Sequence, residues 1–219
     1  MALWDINVPI DRARMFVGGE PLSGEIQLDV MKKWVHLRPD DRLLEVGSGA
    51  GHLAKQAIEY LDFEKYYGIE PNQWTMEENK IFDPIFAERL IYWGARFDSN
   101  AEFDFSVFGD QKYDVIFSHS ILSHASVQQL DTYFRGISEY LETDGSALAS
   151  LHYDLRNECE ESTEWQYPGI SWFKWDTLVK TAEKYNLVVA VKPEIKDYYM
   201  SRREDDWHDW IEVWHSEQE

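Results

Sequence analysis

Glu45, Gly47, Gly49 and Gly51 stand at alternate positions within Leu43–Ala54, and that spacing suits ligand chemistry. Three glycines in five residues let the backbone turn tightly and let a ligand reach the main chain with no Cβ in its path. A helix opening after the turn adds unpaired N–H donors, which favour a carboxylate or a phosphate. Glu45, two places before the first glycine, suits a cationic amine, because a carboxylate at the end of a buried strand needs a positive or donor partner. Glu70 lies about twenty residues beyond the turn, at the end of a second apolar run, where a carboxylate can accept hydrogen bonds from both hydroxyls of a ribose. Together these types point to an adenosine-containing ligand with a charged tail. His119, His124 and His152 are the histidines spaced to take a proton near neutral pH. For each of them, a backbone-bonded structural histidine is the alternative. His152 and Asp154 could share a metal, but no third ligand accompanies them, so no metal is expected.

These residues need a scaffold, and the periodicity supplies one. Leu43, Leu44 and Val46 form a short buried strand, while Leu53, Ala54, Ala57, Ile58 and Leu61 recur at helical spacing. Tyr66–Pro71 is a second strand. Ile26–Val35 predicts an amphipathic helix, and Gln73–Ala87 another, interrupted near Pro84. Residues 88–109 show no clear period. Tyr113–Phe117 is a buried strand leading into the turn Ser118–His124, followed by a helix over Val127–Leu141. Ala147–Leu151 is a strand that delivers His152, Tyr153 and Asp154 at its end. Residues 155–170 read as an acidic insertion closed by Pro168-Gly169, then Trp172–Tyr185 as a helix. Leu187–Val191 and Trp210–Trp214 read as strands able to pair antiparallel. No internal repeat interrupts this order. Gly47, Glu70, Ser118 and His152 thus fall at successive strand ends, where an open α/β sheet binds its ligands.

Length and composition set outer limits. A chain of 219 residues fits one domain with a substantial core, so residues 1–219 are expected to form a single unit. The formal charge of −20 argues against nucleic acid as a partner, since phosphate neutralisation needs clustered Lys and Arg. Cys159 is the only cysteine, so no intramolecular disulfide can form. Charge arrives by Asp5 and again at Asp11, Arg12 and Arg14, leaving no apolar run for a signal peptide or a membrane span. A cytoplasmic protein without a membrane partner is expected.

The turn resembles motif I of the class I S-adenosylmethionine (SAM)-dependent methyltransferases, E/D-x-G-x-G-x-G, matched at Glu45, Gly47, Gly49 and Gly51. A dinucleotide fingerprint, G-x-G-x-x-G, would need glycine where His52 stands, which disfavours an NAD(P)-dependent oxidoreductase. The resemblance covers about residues 27–154. It implies an α/β, Rossmann-like, doubly wound seven-stranded, mostly parallel sheet with an antiparallel C-terminal strand. It also implies SAM as cofactor and S-adenosylhomocysteine as product. The cofactor residues it implies are Glu45, Gly47, Ser48, Gly49, Gly51, Glu70, Pro71, Ser118 and His119. The adenine amine would be met by Asp98 or Asn100, with Ala101 as a backbone contact and Asp104 a further possibility. In this family the leading segment often closes over the cofactor. Residues 1–36 would then be a cap and helix, with Arg14 meeting the methionine carboxylate; an exposed Arg14 and a packed Phe16 are the alternative.

The activity implied is methyl transfer to a small-molecule acceptor, most simply at oxygen with His124 or His152 as base. N- or C-methylation and a non-catalytic SAM-binding protein are alternatives. Residues 118–121 lack the N/D-P-P-Y/F sequence of adenine-N6 and some protein methyltransferases, which argues against those reactions. Trp165, Tyr167 and Trp172, within a lid spanning 155–175, are expected over an aromatic or cationic acceptor.

Overall fold

The computed structural model describes residues 22–72, 84–202 and 207–216. Its centre is a seven-stranded sheet in the order β3-β2-β1-β4-β5-β9-β8. The strands are β1 (Leu43–Val46), β2 (Tyr66–Ile69), β3 (Arg96–Asp98), β4 (Tyr113–Ser118), β5 (Leu141–Leu151), β8 (Leu187–Val191) and β9 (Asp209–His215). β1 lies parallel between β2 and β4, with Glu45 opposite Gly68 on one side and Phe117 on the other. β9 runs antiparallel to both β5 and β8, which supplies the expected antiparallel C-terminal strand. The strand order reverses between β1 and β4. That reversal opens a crevice at the carboxyl ends of the two strands, the place where doubly wound sheets bind ligands.

Helices cover both faces because β1 and most of β4 are buried throughout. α1 (Leu22–Trp34), α2 (His52–Tyr60), α3 (Pro84–Tyr92) and α6 (Pro193–Arg202) sit on one face. Ile26, Val30, Leu53, Ile58, Leu90, Ile195 and Tyr199 pack there with Leu43, Val115 and Phe117. α4 (Val127–Tyr140) and α5 (Trp175–Lys184) cover the other face, with Leu130, Phe134, Ile137 and Leu178 against Leu44, Ile116 and Ala147. α1 approaches the start of α2 so closely that a Cβ on Gly24 would stand 2.1 Å from the His52 carbonyl oxygen. Ser126 and Gln129 form a reciprocal capping box that starts α4.

Several elements differ from the sequence reading. α1 already includes Leu22, ahead of the expected Ile26, and of the helix expected over Gln73–Ala87 the part at 73–83 lies outside the described residues. Among the described residues α3 runs from Pro84, a proline position compatible with the first turn of a helix, to Tyr92. β5 starts at Leu141, six residues before the expected Ala147, and runs through Asp144-Gly145; the irregular register against β4 between Tyr113 and Val115 absorbs the extra residues. α5 starts at Trp175 because Phe173–Lys174 (β7) pairs with Tyr153–Asp154 (β6) as a small parallel ribbon. α6 was not expected from the sequence. It buries Ile195 and Tyr199 but carries only a weak apolar stripe.

Candidate active site

The glycine turn adopts the backbone its residues allow. Gly47, Gly49 and Gly51 have φ of 83°, 51° and 75°, a left-handed region that side chains with a Cβ occupy at a cost. Gly47 is required twice over, since a Cβ there would stand 2.2 Å from Ile121 Cδ1 in the turn after β4. The amides of Gly47 and Ser48 both donate to the Ile69 carbonyl, at 2.8 and 3.1 Å, which ties the turn to the end of β2.

Glu70 completes that tie. Its Oε2 accepts from the Gly49 amide at 2.8 Å, and its Oε1 accepts from the Asn72 amide and side chain at 2.9 and 2.7 Å. The carboxyl is buried, and desolvation raises its pKa against the pull of these three donors. A carboxylate offers about four acceptor positions. Three are taken among the described residues, which leaves Oε2 a lone pair. The Ser48 hydroxyl is buried without a hydrogen-bond partner among the described residues.

Glu45 is turned into the core and accepts from the Tyr66 hydroxyl. Burial pushes its pKa up to about 8, with the nearby Glu70 charge adding to the rise, so the group is protonated at neutral pH in the free protein. Pro71 is exposed just beyond Glu70. Asp98 ends β3, and its Oδ1 accepts from the Asn100 amide and side chain at 2.9 and 3.1 Å. The Asn100 side chain is spent on bracing this loop, because its Oδ1 also accepts from the Asp104 amide at 3.0 Å. Asp104 in turn caps the 3-10 turn Phe105–Phe108 through the Ser106 amide. Arg14 lies outside the described residues.

Ser118 ends β4 fully buried, and His119 packs against both Tyr199 and Trp210, at ring distances of 5.3 and 5.4 Å, while those two rings lie 5.1 Å from each other. Ser120 is held at φ 58° by its amide donating to Ser150 Oγ at 2.7 Å. This geometry aims Ile121 at the glycine turn. His124 follows on a 3-10 turn, its Nδ1 2.6 Å from the Gly169 carbonyl. A carbonyl can only accept, so Nδ1 carries the hydrogen and a neutral ring has its lone pair at Nε2. Burial lowers the His124 pKa, with His208 lowering it further. His152, buried at the end of β5, stacks on Trp207 at 4.5 Å and His208 at 5.0 Å. Burial and the His208 charge push its pKa down to about 4, and its Nε2 has no hydrogen-bond partner among the described residues.

The sequence reading missed Trp207 and His208 as parts of this end of the sheet. Their only signal was an aromatic and histidine pair just before the final strand.

The model of a methyltransferase domain matches residues 37–183 of the 219, from the approach to β1 through α5, and so takes in the glycine turn, Glu70, His124 and His152. The chain belongs to the class I SAM-dependent methyltransferases. Solved structures agree on the fold. The magnesium protoporphyrin IX methyltransferase ChlM from Synechocystis, with bound SAM, is 15% identical with a TM-score of 0.62, covering 96% of this chain and 92% of its own. The sugar N-methyltransferase KedS8 from Streptoalloteichus is 14% identical with a TM-score of 0.61, covering 99% of both chains. The [4+2]-cyclase SpnF is 14% identical with a TM-score of 0.62, covering 90% of this chain and 82% of its own. The methyltransferase therefore shares its scaffold with proteins whose reactions differ, and its acceptor must be argued from its own side chains. The turn fits SAM: a bare backbone, an unpartnered buried hydroxyl at Ser48 and a spare carboxylate lone pair at Glu70 match a nucleoside with a polar tail.

Proposed function

We propose that this methyltransferase transfers the methyl group of SAM to a hydroxyl oxygen of a small molecule, with His124 as the general base. The observation that carries this reading is the 2.6 Å bond from His124 Nδ1 to the Gly169 carbonyl. It fixes the ring tautomer and leaves Nε2 as the basic atom, and the lowered pKa keeps that atom unprotonated at neutral pH. SAM supplies an activated methyl on a sulfonium leaving group, so the protein must align the acceptor, exclude water and hold one proton.

The cofactor roles follow from the donors and acceptors in place. Glu70 Oε2 and the backbone of 47–51 take the ribose and the amino-acid tail, and Ser48 Oγ gains the partner it lacks. Glu45 supplies the countercharge for the ammonium and gives up its proton when that charge arrives. Asp98, whose Oδ1 alone is held by Asn100, serves the adenine amine through Oδ2. Ser118, His119 and Pro71 border the same crevice. His152, neutral at physiological pH and unpartnered at Nε2, holds the acceptor hydroxyl rather than removing its proton. Residues 1–219 act as one domain, with 155–175 covering the acceptor. A small-molecule acceptor is supported by the porphyrin and sugar substrates named for two similar structures and by the charge of −20, which repels nucleic acid.

The test is calorimetry with SAM, S-adenosylhomocysteine and NAD, followed by turnover against phenols, aliphatic alcohols, amines and carboxylic acids. We expect binding of the first two and methyl transfer to oxygen, lost in His124→Gln with cofactor affinity retained. Methylated amines with an unimpaired His124→Gln variant would overturn the oxygen reading.

A further inference from the structure

We infer that the acceptor is a planar hydroxyarene, stacked on an indole wall at the carboxyl end of the sheet and hydrogen-bonded there by buried polar atoms. This inference rests on the methyl-transfer reading above for its location. Trp165, Trp172 and Trp207 are 44%, 41% and 48% exposed, although an indole is among the most favourable side chains to bury. All three touch the two histidines of the site. Trp165 lies 5.7 Å from the His124 ring, and Trp172 and Trp207 lie 5.2 and 4.5 Å from His152. Their chain positions differ by up to 42 residues, and the antiparallel direction of β9 brings Trp207 back to the end where β5 delivers His152.

Ser123 precedes His124 and Ser171 precedes Trp172 in the chain, and both serines are buried. His152 Nε2, Ser123 Oγ and Ser171 Oγ are buried and have no hydrogen-bond partner among the described residues. The three residues are 1%, 1% and 2% exposed, and Ser171 and Ser123 are joined by a backbone bond of 2.7 Å. Native proteins rarely leave such atoms unpaired, and a ligand with hydroxyl groups would satisfy them. Exposed flat rings in the same loops as unmet donors and acceptors suit a hydroxylated arene better than an aliphatic chain.

Charge separates this from the other guest of an aromatic wall, a quaternary ammonium. The carboxylate whose field reaches His152 is Asp209, and it is paired with Lys196 at 2.7 Å. That pairing leaves Asp209 no free charge to offer a cation beside His152.

The experiment is calorimetry on the full chain saturated with S-adenosylhomocysteine, titrated with catechol and 4-nitrophenol and, in parallel, with cyclohexanol and choline. Saturable binding of the two hydroxyarenes is expected, weakened about five- to tenfold in Trp207→Ala and in Trp172→Ala and retained in Trp207→Phe. S-adenosylhomocysteine affinity should stay unchanged in all three variants, which also reports that they fold. Equal or tighter binding of choline or cyclohexanol, or hydroxyarene affinity unmoved by both alanine variants, overturns the inference. Because binding is read without turnover, hydroxyarene binding with no methyl transfer would sink the functional reading alone. Methylation of an aliphatic alcohol with no hydroxyarene binding would do the reverse.

Discussion

The amide of Gly49 donates to Glu70 Oε2 at 2.8 Å across 21 residues of chain, so the glycine turn and the end of β2 form one rigid cradle. Replacing Glu70 with Gln keeps the size but leaves one carbonyl oxygen to serve donors from both Gly49 and Asn72. Cofactor affinity is expected to fall about tenfold or more, with stability lower by about 1–2 kcal/mol. Calorimetry with S-adenosylhomocysteine and a thermal melt measure the two effects. Unchanged affinity would remove Glu70 from the cofactor site.

Gly47 and Ile121 are sterically coupled. Gly47→Ala places a methyl 2.2 Å from Ile121 Cδ1 at a backbone φ of 83°. It should destabilise by about 2–3 kcal/mol, of which about 1 is the left-handed backbone. Ile121→Ala removes the clashing atoms, so the double variant should show a favourable coupling of about 1 kcal/mol in a denaturation cycle. Strict additivity would mean that the two residues do not meet.

His124 predicts the shape of the pH–rate profile. Its pKa lies below the usual 6.5, so the basic form is full at neutral pH and activity should fall only as pH drops below that value. His124→Gln should lower kcat by about 10²–10⁴ with cofactor affinity intact. An acid limb at or above pH 7 in the wild type would assign the base elsewhere.

Glu45 and Tyr66 link folding and cofactor binding to protons. The folded pKa of Glu45 is about 8 against 4.5 for the free group, so the native state holds a proton that the unfolded chain loses within this window. Its contribution to stability is complete below pH 4.5 and declines as pH rises toward 8. Glu45→Gln removes that decline, and its advantage over wild type should grow across the same range to a few kcal/mol, on the order of 1.4 kcal/mol for each step of one in pH. If the cofactor ammonium ionises Glu45, SAM binding at pH 7 releases a proton, read as a buffer-dependent enthalpy that Glu45→Gln abolishes.

His152 has the opposite sign. Its pKa of about 4 lies below the 6.5 of a free histidine, so the unfolded chain binds the extra proton and stability is lost as pH falls from 6.5 to 4. His152→Phe keeps the ring stack with Trp207, removes an unpartnered buried nitrogen and should flatten this acid limb. Chemical denaturation at pH 5 and pH 7 compares the two slopes, and parallel slopes would contradict the assignment.

Local signals carried much of the site. The glycine spacing, the apolar runs of β1 and β4 and the acid at Glu70 are legible because each depends on neighbours within a few residues. Leu187–Val191 and the alternating final strand were legible as strands too, and they pair antiparallel, as the reading allowed. α6 was not legible: its stripe is too weak to stand out, and Ile195 and Tyr199 are buried by a face they meet only after folding. β5 was read short because Asp144-Gly145 is turn chemistry in isolation, overridden by pairing with β4.

The order of residue types along the chain determined that a backbone-lined turn would sit between a buried strand and a helix, with a carboxylate waiting beyond it. Tertiary structure alone decided that Trp207 and His208 face His152, that Gly169 orients His124 and that Glu45 is sealed against Tyr66. The reason is distance in sequence. A hydrogen-bonding turn is encoded by residues that touch along the chain, whereas the pairing of β9 with β5 joins segments about sixty residues apart whose choice depends on the whole sheet.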